Sequence, residues 1–343
     1  MIMQNKYADI LSNINNDQRG VQDSILIVDG LNTFLRAFTM INYLNSEGHH
    51  IGGLTGFLKS LGYAIKLIDP TKVIVVFDGV GGSNNKRNLY PEYKANRNTS
   101  RMTNYAIFTS KEDERESINN QMARLIHYLQ CLPISMVCID GIEADDAIGY
   151  LAGKLDKFEA TREITIMSAD QDFLQLVTDK TQVYSPTKKK IYKPDNVLEE
   201  YKVTASNFVN YKILMGDSSD NLPGVLGLGP KKLLKLFPDL ATSKQVTLED
   251  ILLESAAKVN EHILYARIIE RTNQLDINRQ LIDLRTIPLS TENIEQIQAG
   301  FKMPYELNSH AFMQMYISDK LGESIPNTPS WINQVFGPLS AFK

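Results

Sequence analysis

The sequence predicts an α/β fold: a mostly parallel central sheet with helices on both faces, continued by a helical C-terminal part. Three observations predict it. Four short apolar runs, at residues 25–28, 73–77, 134–139 and 164–167, have the unbroken character of strands buried on both faces. Between them, apolar residues recur at helical spacing, so strand and helix alternate. After about residue 200 the patterning is helical.

Taken in order, residues 1–23 are polar and asparagine-rich and read as an N-terminal extension. The strand at 25–28 ends in Asp29-Gly30, and Leu54, Phe57, Leu58, Leu61, Ile65 and Ile68 then mark a crossover helix stopped by Asp69-Pro70. The strand at 73–77 ends in Asp78-Gly79. Residues 83–117 lose apolar periodicity over a length unusual for a passive connection. Lys86, Arg87, Lys94, Arg97 and Arg101 are interleaved there with Tyr90 and Tyr93, a composition that suits a single-stranded nucleic acid or, equally, a solvated charged loop. Helical spacing returns at Ile118, Met122, Leu125, Ile126 and Leu129, and the strand at 134–139 leads to Gly141-Ile142-Glu143-Ala144-Asp145-Asp146. The strand at 164–167 runs into Asp170-Gln171-Asp172, and a hairpin is expected around residues 188–190. The α/β core thus spans 24–200 and the helical region 201–343.

Composition bounds the possibilities. With 343 residues, 43% hydrophobic and 22% charged, the chain can bury a sizeable core. No apolar run approaches the roughly 20 residues that cross a bilayer, and the first ten residues lack the regions of a signal peptide, so a cytoplasmic monomer without membrane association is expected. Cys131 and Cys138 lie in apolar surroundings and are expected to be buried free thiols. The histidines, His49, His50, His127, His262 and His310, show no ligand spacing beyond the adjacent pair and read as surface or core residues.

The chemistry lies in the acids. Ligands of parallel sheets bind beyond the carboxyl ends of the strands, and Asp29, Asp78, the triplet Glu143, Asp145 and Asp146, and the pair Asp170 and Asp172 all fall at such ends. Two unit charges about 4 Å apart repel by roughly 4 kcal/mol at an effective dielectric near 20. Either a bound cation offsets this or, for the triplet alone, a helix dipole does. The 36 Lys and Arg face 40 Asp and Glu, so once such a rim is set aside the remaining surface is net basic and can face phosphate. Downstream, a helix capped by Ser206 through Met215 precedes Asp217 and Asp220, then Gly224, Gly227 and Gly229, then Pro230 with Lys231, Lys232 and Lys235. Helix, glycine-rich turn and helix fit neither a dinucleotide fingerprint nor a Walker loop, and suit a hairpin that grips duplex backbone.

These motifs resemble the 5′ nuclease family of flap endonucleases and 5′-3′ exonucleases. The match runs in family order over about residues 25–240: Val28-Asp29-Gly30, Phe77-Asp78-Gly79, Tyr90-Pro91-Glu92-Tyr93-Lys94-Ala95-Asn96-Arg97, Ile142-Glu143-Ala144-Asp145-Asp146, Ser168-Ala169-Asp170-Gln171-Asp172, Met215-Gly216-Asp217-Ser218-Ser219-Asp220 and Gly224-Val225-Leu226-Gly227-Leu228-Gly229. Val183-Tyr184-Ser185-Pro186 and the helical tail look similar to the T-even phage ribonuclease H branch. The resemblance implies a PIN-like core, a helical arch over 83–117 and a helix-hairpin-helix. It implies a magnesium-dependent, structure-specific nuclease that removes RNA primers or 5′ flaps in DNA replication. Two Mg2+, with Mn2+ as a substitute, would be held by Asp29, Asp78, Glu143, Asp145 and Asp146 and by Asp170, Asp172, Asp217 and Asp220, and K+ by hairpin carbonyls. Lys94 and Arg97 would stabilise charge at the scissile phosphate and Tyr93 would stack on a base. Arg36, Lys86, Arg87, Gly224, Gly227, Gly229, Lys231 and Lys232 would contact nucleic acid. Implied partners are branched or nicked duplex DNA, RNA-DNA hybrids and, through the tail, a single-strand DNA-binding protein. The stretch Gly81-Gly82-Ser83-Asn84-Asn85 looks inserted relative to the family. A non-catalytic branched-DNA-binding paralogue and a PIN-type ribonuclease are the alternatives.

Overall fold

A computed structural model describes residues 23–96 and 102–341. Most of the N-terminal extension, and Arg97 and Arg101, therefore lie outside the described residues. Six strands form one sheet: β1 (Asp23–Asp29), β2 (Lys72–Asp78), β3 (Ser135–Ile139), β4 (Thr161–Met167), β5 (Thr181–Ser185) and β6 (Lys190–Tyr192), in the order β3-β2-β1-β4-β5-β6. All neighbours are parallel except the β5-β6 hairpin. β1 is central, pairing Ile27 with Ile74 on one side and with Ile166 on the other.

Alternation along β1 sorts the core into two layers. Leu26 and Val28 join Val73, Val75 and Phe77 against α1 (Gly30–Met40), α2 (Gly52–Ile68) and, across Leu125 and Tyr128, the end of a long helix. Ile25 and Ile27 join Ile74, Val76, Ile164 and Ile166 on the other face. The helices in chain order continue with α3 (Asn84–Leu89), α4 (Lys111–Leu129), α5 (Ala144–Leu155), α6 (Pro194–Tyr201), α7 (Phe208–Met215) and α8 (Pro230–Leu236). They end with α9 (Leu248–Ala257), α10 (Ile263–Glu270), α11 (Thr272–Ile282), α12 (Thr291–Lys302), α13 (Ser309–Ser318) and α14 (Thr328–Phe336). α5 covers the second face with Ile297 of α12, and a third apolar cluster unites α7, α8, α9, α10 and α11.

Several expectations are corrected. Helix α1 follows Asp29 at once; Leu31, Phe34, Leu35 and Phe38 carry its spacing but were not read as a helix. α4 begins at Lys111, ahead of its apolar stripe, because Ser110 caps Asp113 N and three acids fill its first turn. Ser206 lies inside a 3-10 turn at Ala205–Asn207, and α7 starts after it. Cys131 is a buried thiol, but Cys138 is exposed on β3, at the sheet edge. His50 is the core histidine, with Nε2 2.7 Å from Ile41 O. Among the described residues no helix is long and apolar enough to cross a membrane.

The tail returns to the first face of the sheet. Phe312 packs on Tyr128, and Asp319 receives Arg124 Nε at 2.7 Å and Tyr128 Oη at 2.7 Å. Trp331, the only tryptophan in the chain, lies over Gly62 of α2, where a Cβ would stand 2.6 Å from the indole. Overpacking of this kind costs about 1–3 kcal/mol. Gly62→Leu should therefore lower the melting temperature by several degrees and red-shift Trp331 emission, whereas an unchanged emission maximum would show that α14 does not depend on this contact.

Candidate active site

Asp29 is the last residue of β1 and the N-cap of α1. Its Oδ1 accepts Asn32 N at 3.2 Å and its Oδ2 accepts Ser168 Oγ at 2.8 Å, which joins the ends of β1 and β4. Ser168 Oγ accepts Asp170 N at 3.0 Å, and Asp170 Oδ1 accepts Asp172 N at 2.9 Å. Asp78 ends β2 and its Oδ1 accepts Ala144 N at 2.9 Å, at the start of α5. The glycines that follow these two acids are dictated by close backbone approach. A Cβ on Gly30 would lie 2.5 Å from the Phe77 ring, and one on Gly79 would lie 1.8 Å from Ile139 O. The Asp-Gly pairs are thus the points where neighbouring strand ends converge.

Three lysines are sunk among the acids. Glu143, 4% exposed, accepts Lys86 Nζ at 2.8 Å and Tyr93 Oη at 3.0 Å on one oxygen and Lys94 Nζ at 2.6 Å on the other. Lys86 also reaches Asp146 Oδ1 at 2.8 Å. Lys212 of α7 bridges Asp172 Oδ1 and Asp217 Oδ2, each at 2.7 Å. Asp217 Oδ1 accepts Ser219 N and Ser219 Oγ at 2.8 and 2.6 Å. The basic loop is docked on this second acid loop: Lys94 N donates to Asp220 O at 2.9 Å, and Asn96 Nδ2 donates to Ser218 O at 2.8 Å.

The charges divide accordingly. Burial opposes ionisation of Glu143, but Lys86 and Lys94 hold its carboxyl down at about 2. Burial is likewise overcome at Asp217, which Lys212 and Ser219 hold at about 2. Burial wins at Asp29, pushed up to about 7 with Asp170 and Asp78 adding repulsion, although Ser168 and Asn32 temper the shift. Asp172 is also pushed to about 7 by burial and by Asp170, despite Lys212. Asp145 is driven well up by burial, then by Asp170 and Asp29. At Asp146 burial outweighs the ion pair with Lys86, and the carboxyl is raised. One pole of the rim is therefore neutralised by lysines, and the other is a set of mutually repelling carboxyls.

All nine predicted acids thus enter this network, Asp220 through its backbone carbonyl on Lys94 N and through its charge beside Tyr93. Lys94 is there too, at a left-handed φ of +56° with its ammonium 4.7 Å from the Tyr93 ring centroid. Two expectations change. Tyr93 is 2% exposed, packed in the third apolar cluster, so its ring is an anchor for the loop rather than a platform for a base. Lys86 is enclosed in ion pairs instead of facing phosphate. Arg36 lies partly buried on α1, Arg87 is exposed on α3, and Lys231 and Lys232 are exposed at the start of α8. Gly224 has a structural reason to be glycine, since a Cβ would stand 2.2 Å from Met215 O; Gly227 has φ +79°; at Gly229 a Cβ would meet open space. Lys212, Ser168 and Asn32 escaped sequence reasoning; for Lys212 the available signal was a lysine in the last turn of the helix before Asp217.

As placed, no three Asp, Glu, His or Cys side chains among the described residues are gathered as ligands around one point. The donor chemistry nevertheless fits a hard divalent cation: the donors are carboxylate oxygens, and Asp29, Asp145 and Asp170 raise one another's energy in a way a cation relieves.

The sequence model for "5'-3' exonuclease, N-terminal resolvase-like domain" matches residues 24–202, and that for "5'-3' exonuclease, C-terminal SAM fold" matches 203–302. The 5'-3' exonuclease of Bacillus subtilis is 32% identical over 279 residues, 78% of this chain and 86% of the relative. That of Buchnera aphidicola from Schizaphis graminum is 34% identical over 224 residues, 65% of this chain and 72% of the relative. DNA polymerase I of Bacillus subtilis is 32% identical over 79% of this chain but only 29% of its own length. Among solved structures, the bacteriophage T5 D15 flap endonuclease in a pseudo-enzyme-product complex with DNA and metal ions superposes with a TM-score of 0.61 at 20% identity, over 87% of this chain and 100% of that one. The T5 5'-exonuclease with bound zinc gives 0.60 at 21% identity, over 86% and 98%. With both sequence models matched end to end and the strand-end acids converging as described, this chain belongs to the 5'-3' exonuclease family and is a nuclease.

Proposed function

We propose that the chain is a divalent-metal-dependent, structure-specific 5′ nuclease that hydrolyses phosphodiesters of 5′ flaps or RNA primers during DNA replication, with two Mg2+ bound at the acidic rim. The convergence of acids from four strand ends, with Asp217 and Asp220 closing the rim from the helical region, carries this reading. Asp29, Asp78, Glu143, Asp145 and Asp146 would surround one ion, and Asp170, Asp172, Asp217 and Asp220 would support the second. Two such ions, when bound, would supply activation of a water and charge stabilisation for an in-line displacement.

The chain's own residues supply the rest. Lys94 is presented by a loop fixed at both ends, through Tyr93 on Glu143 and through Asn96 on Ser218, so its ammonium stays within reach of the acidic pole. When a phosphate enters, that ammonium leaves Glu143 Oε1 and meets the charge that develops on the phosphoryl oxygens. Lys212 bridges Asp172 and Asp217, keeps Asp217 ionised and tempers the burial that raises Asp172. Glycines 224, 227 and 229, with Lys231 and Lys232, provide a backbone surface for the duplex, and Gly229 leaves the open space that close approach of phosphate needs.

Asp145→Asn should lower cleavage of an end-labelled flapped duplex in Mg2+ by about a thousandfold or more while duplex binding in Ca2+ changes little. Undiminished cleavage would remove the metal assignment, and equal cleavage of unstructured RNA by the wild type would favour a PIN-type ribonuclease. Lys94→Ala should slow single-turnover cleavage by about 100-fold, in the range of a lost charge-stabilising donor; a loss confined to substrate binding would make Lys94 a docking residue.

Stability should report the rim as well. Asp29 and Asp172 take up their protons near 7 in the folded chain but near 4 when unfolded. Their folded pKa is raised, so their contribution to stability is complete below about 4 and is lost as pH rises through about 7. Without divalent ions the melting temperature should fall between about pH 4 and 7 and level off above, and millimolar Mg2+ should restore it at the upper end only. A flat metal-free profile in scanning fluorimetry would contradict this electrostatic picture.

A further inference from the structure

Lys86 directly follows the stretch that looked inserted, and it is the cation that bridges two carboxylates of the first acid group. Its ammonium stands 2.8 Å from Glu143 Oε2 and 2.8 Å from Asp146 Oδ1, with the side chain 12% exposed. The backbone that delivers it is fixed. Residues 79–82 are stitched to the turn before Glu143: Gly79 N donates to Ile142 O at 3.1 Å, Gly141 N to Val80 O at 2.9 Å, and Val80 N to Asp140 Oδ1 at 3.0 Å. Gly81 has φ +71°, and a Cβ on Gly82 would lie 2.7 Å from Ile142 O, so glycine at both places is what lets the short helix α3 dock here. Lys86 is carried on that helix, against the acids and away from solvent.

Glu143 is already well occupied. Its two oxygens accept Lys86, Tyr93 and Lys94, three of the about four directions a carboxylate offers. A divalent ion that coordinates Glu143 or Asp146 directly must share them with, or displace, an ammonium in contact with both. Lys94 has a substrate phosphate to move to under the reading above; Lys86, bridging Glu143 and Asp146, stays with its two carboxylates. We propose that Lys86 is a built-in counter-cation of the rim, which competes with divalent metal for Glu143 and Asp146 and sets the cation concentration at which the site loads. The inference rests on the nuclease reading for the identity of the competing ion.

The test is Mg2+ binding without DNA, by calorimetry and by melting curves across a MgCl2 series, on the full chain, on Lys86→Met and on Lys86→Arg. The Met variant should melt lower without metal, because two buried carboxylates lose their partner. It should bind Mg2+ about tenfold more tightly, a coupling of ordinary size for two ligands sharing groups, and Lys86→Arg should return both quantities toward wild type. A folded Met variant that binds Mg2+ no more tightly than wild type overturns the proposal. If the Met variant is unfolded without metal, Mg2+ must refold it for the proposal to stand, and failure to refold overturns it. A wild-type chain that binds no Mg2+ while the Met variant still loses metal-free stability would instead sink the two-metal reading and leave Lys86 as a purely structural counter-ion.

Discussion

The arrangement depends on one constraint, the crowding of nine acids at one rim, seven from the ends of parallel strands and Asp217 and Asp220 from the loop after α7. Unit charges about 4 Å apart cost roughly 4 kcal/mol at an effective dielectric near 20, a large part of the total stability of an ordinary domain. The chain meets part of this cost with Lys86, Lys94 and Lys212, each in contact with one or two carboxylates. The remainder falls on Asp29 and Asp145, whose ionisation burial and the nearby Asp170 oppose. Incomplete neutralisation would make the rim receptive to a cation under the proposed function, since a site fully balanced by lysines would have little to gain from metal.

That confinement is imposed by the backbone. Asp29 and Asp78 are the last residues of neighbouring parallel strands, and the register Asp29↔Val76 carries Asp78 two residues beyond Asp29 at the same edge. Gly30 and Gly79 admit approaches that a Cβ would block, so strand ends can close on one another. On the helical side, the docking of residues 93–96 on the 217–221 loop brings the second acid pair to the same rim. Buried apolar clusters hold these pieces from behind: the two faces of the sheet fix the strand ends, and the third cluster, with Tyr93 in it, fixes the loop that carries Lys94.

Much of this was legible in the sequence, for a physical reason. Strands buried on both faces must be continuously apolar, so an acid directly after such a run marks the rim, and Asp29, Asp78 and Asp170 could be placed from the chain alone. What escaped were partners set by tertiary contact. Nothing local distinguishes Lys86, which is buried between carboxylates, from Arg87, its exposed neighbour on the same short helix. Tyr93 beside a lysine in a polar loop has the composition of a stacking surface, yet the third cluster has taken the ring and Glu143 the hydroxyl. Cys138 was misjudged because an apolar neighbourhood in sequence became the edge strand of the sheet.

The tail shows how the same logic reaches the far side of the molecule. Asp319 takes two hydrogen bonds from Arg124 and one from Tyr128, both near the C-terminal end of α4, and α13 and α14 pack on the sheet face that α2 and α4 share. At the other end of α4, Glu114 is buried and accepts Thr103 N, Thr103 Oγ1 and Asn104 N, while Asn104 Nδ2 donates to Phe38 O of α1. The chain returning from the basic loop is thus tied to α1, the helix that Asp29 caps, and to α4, which the tail clamps. The loop that presents Lys94 is therefore held on one side by the acids it serves and on the other by a rigid frame, and the lysine's position is a property of the whole core.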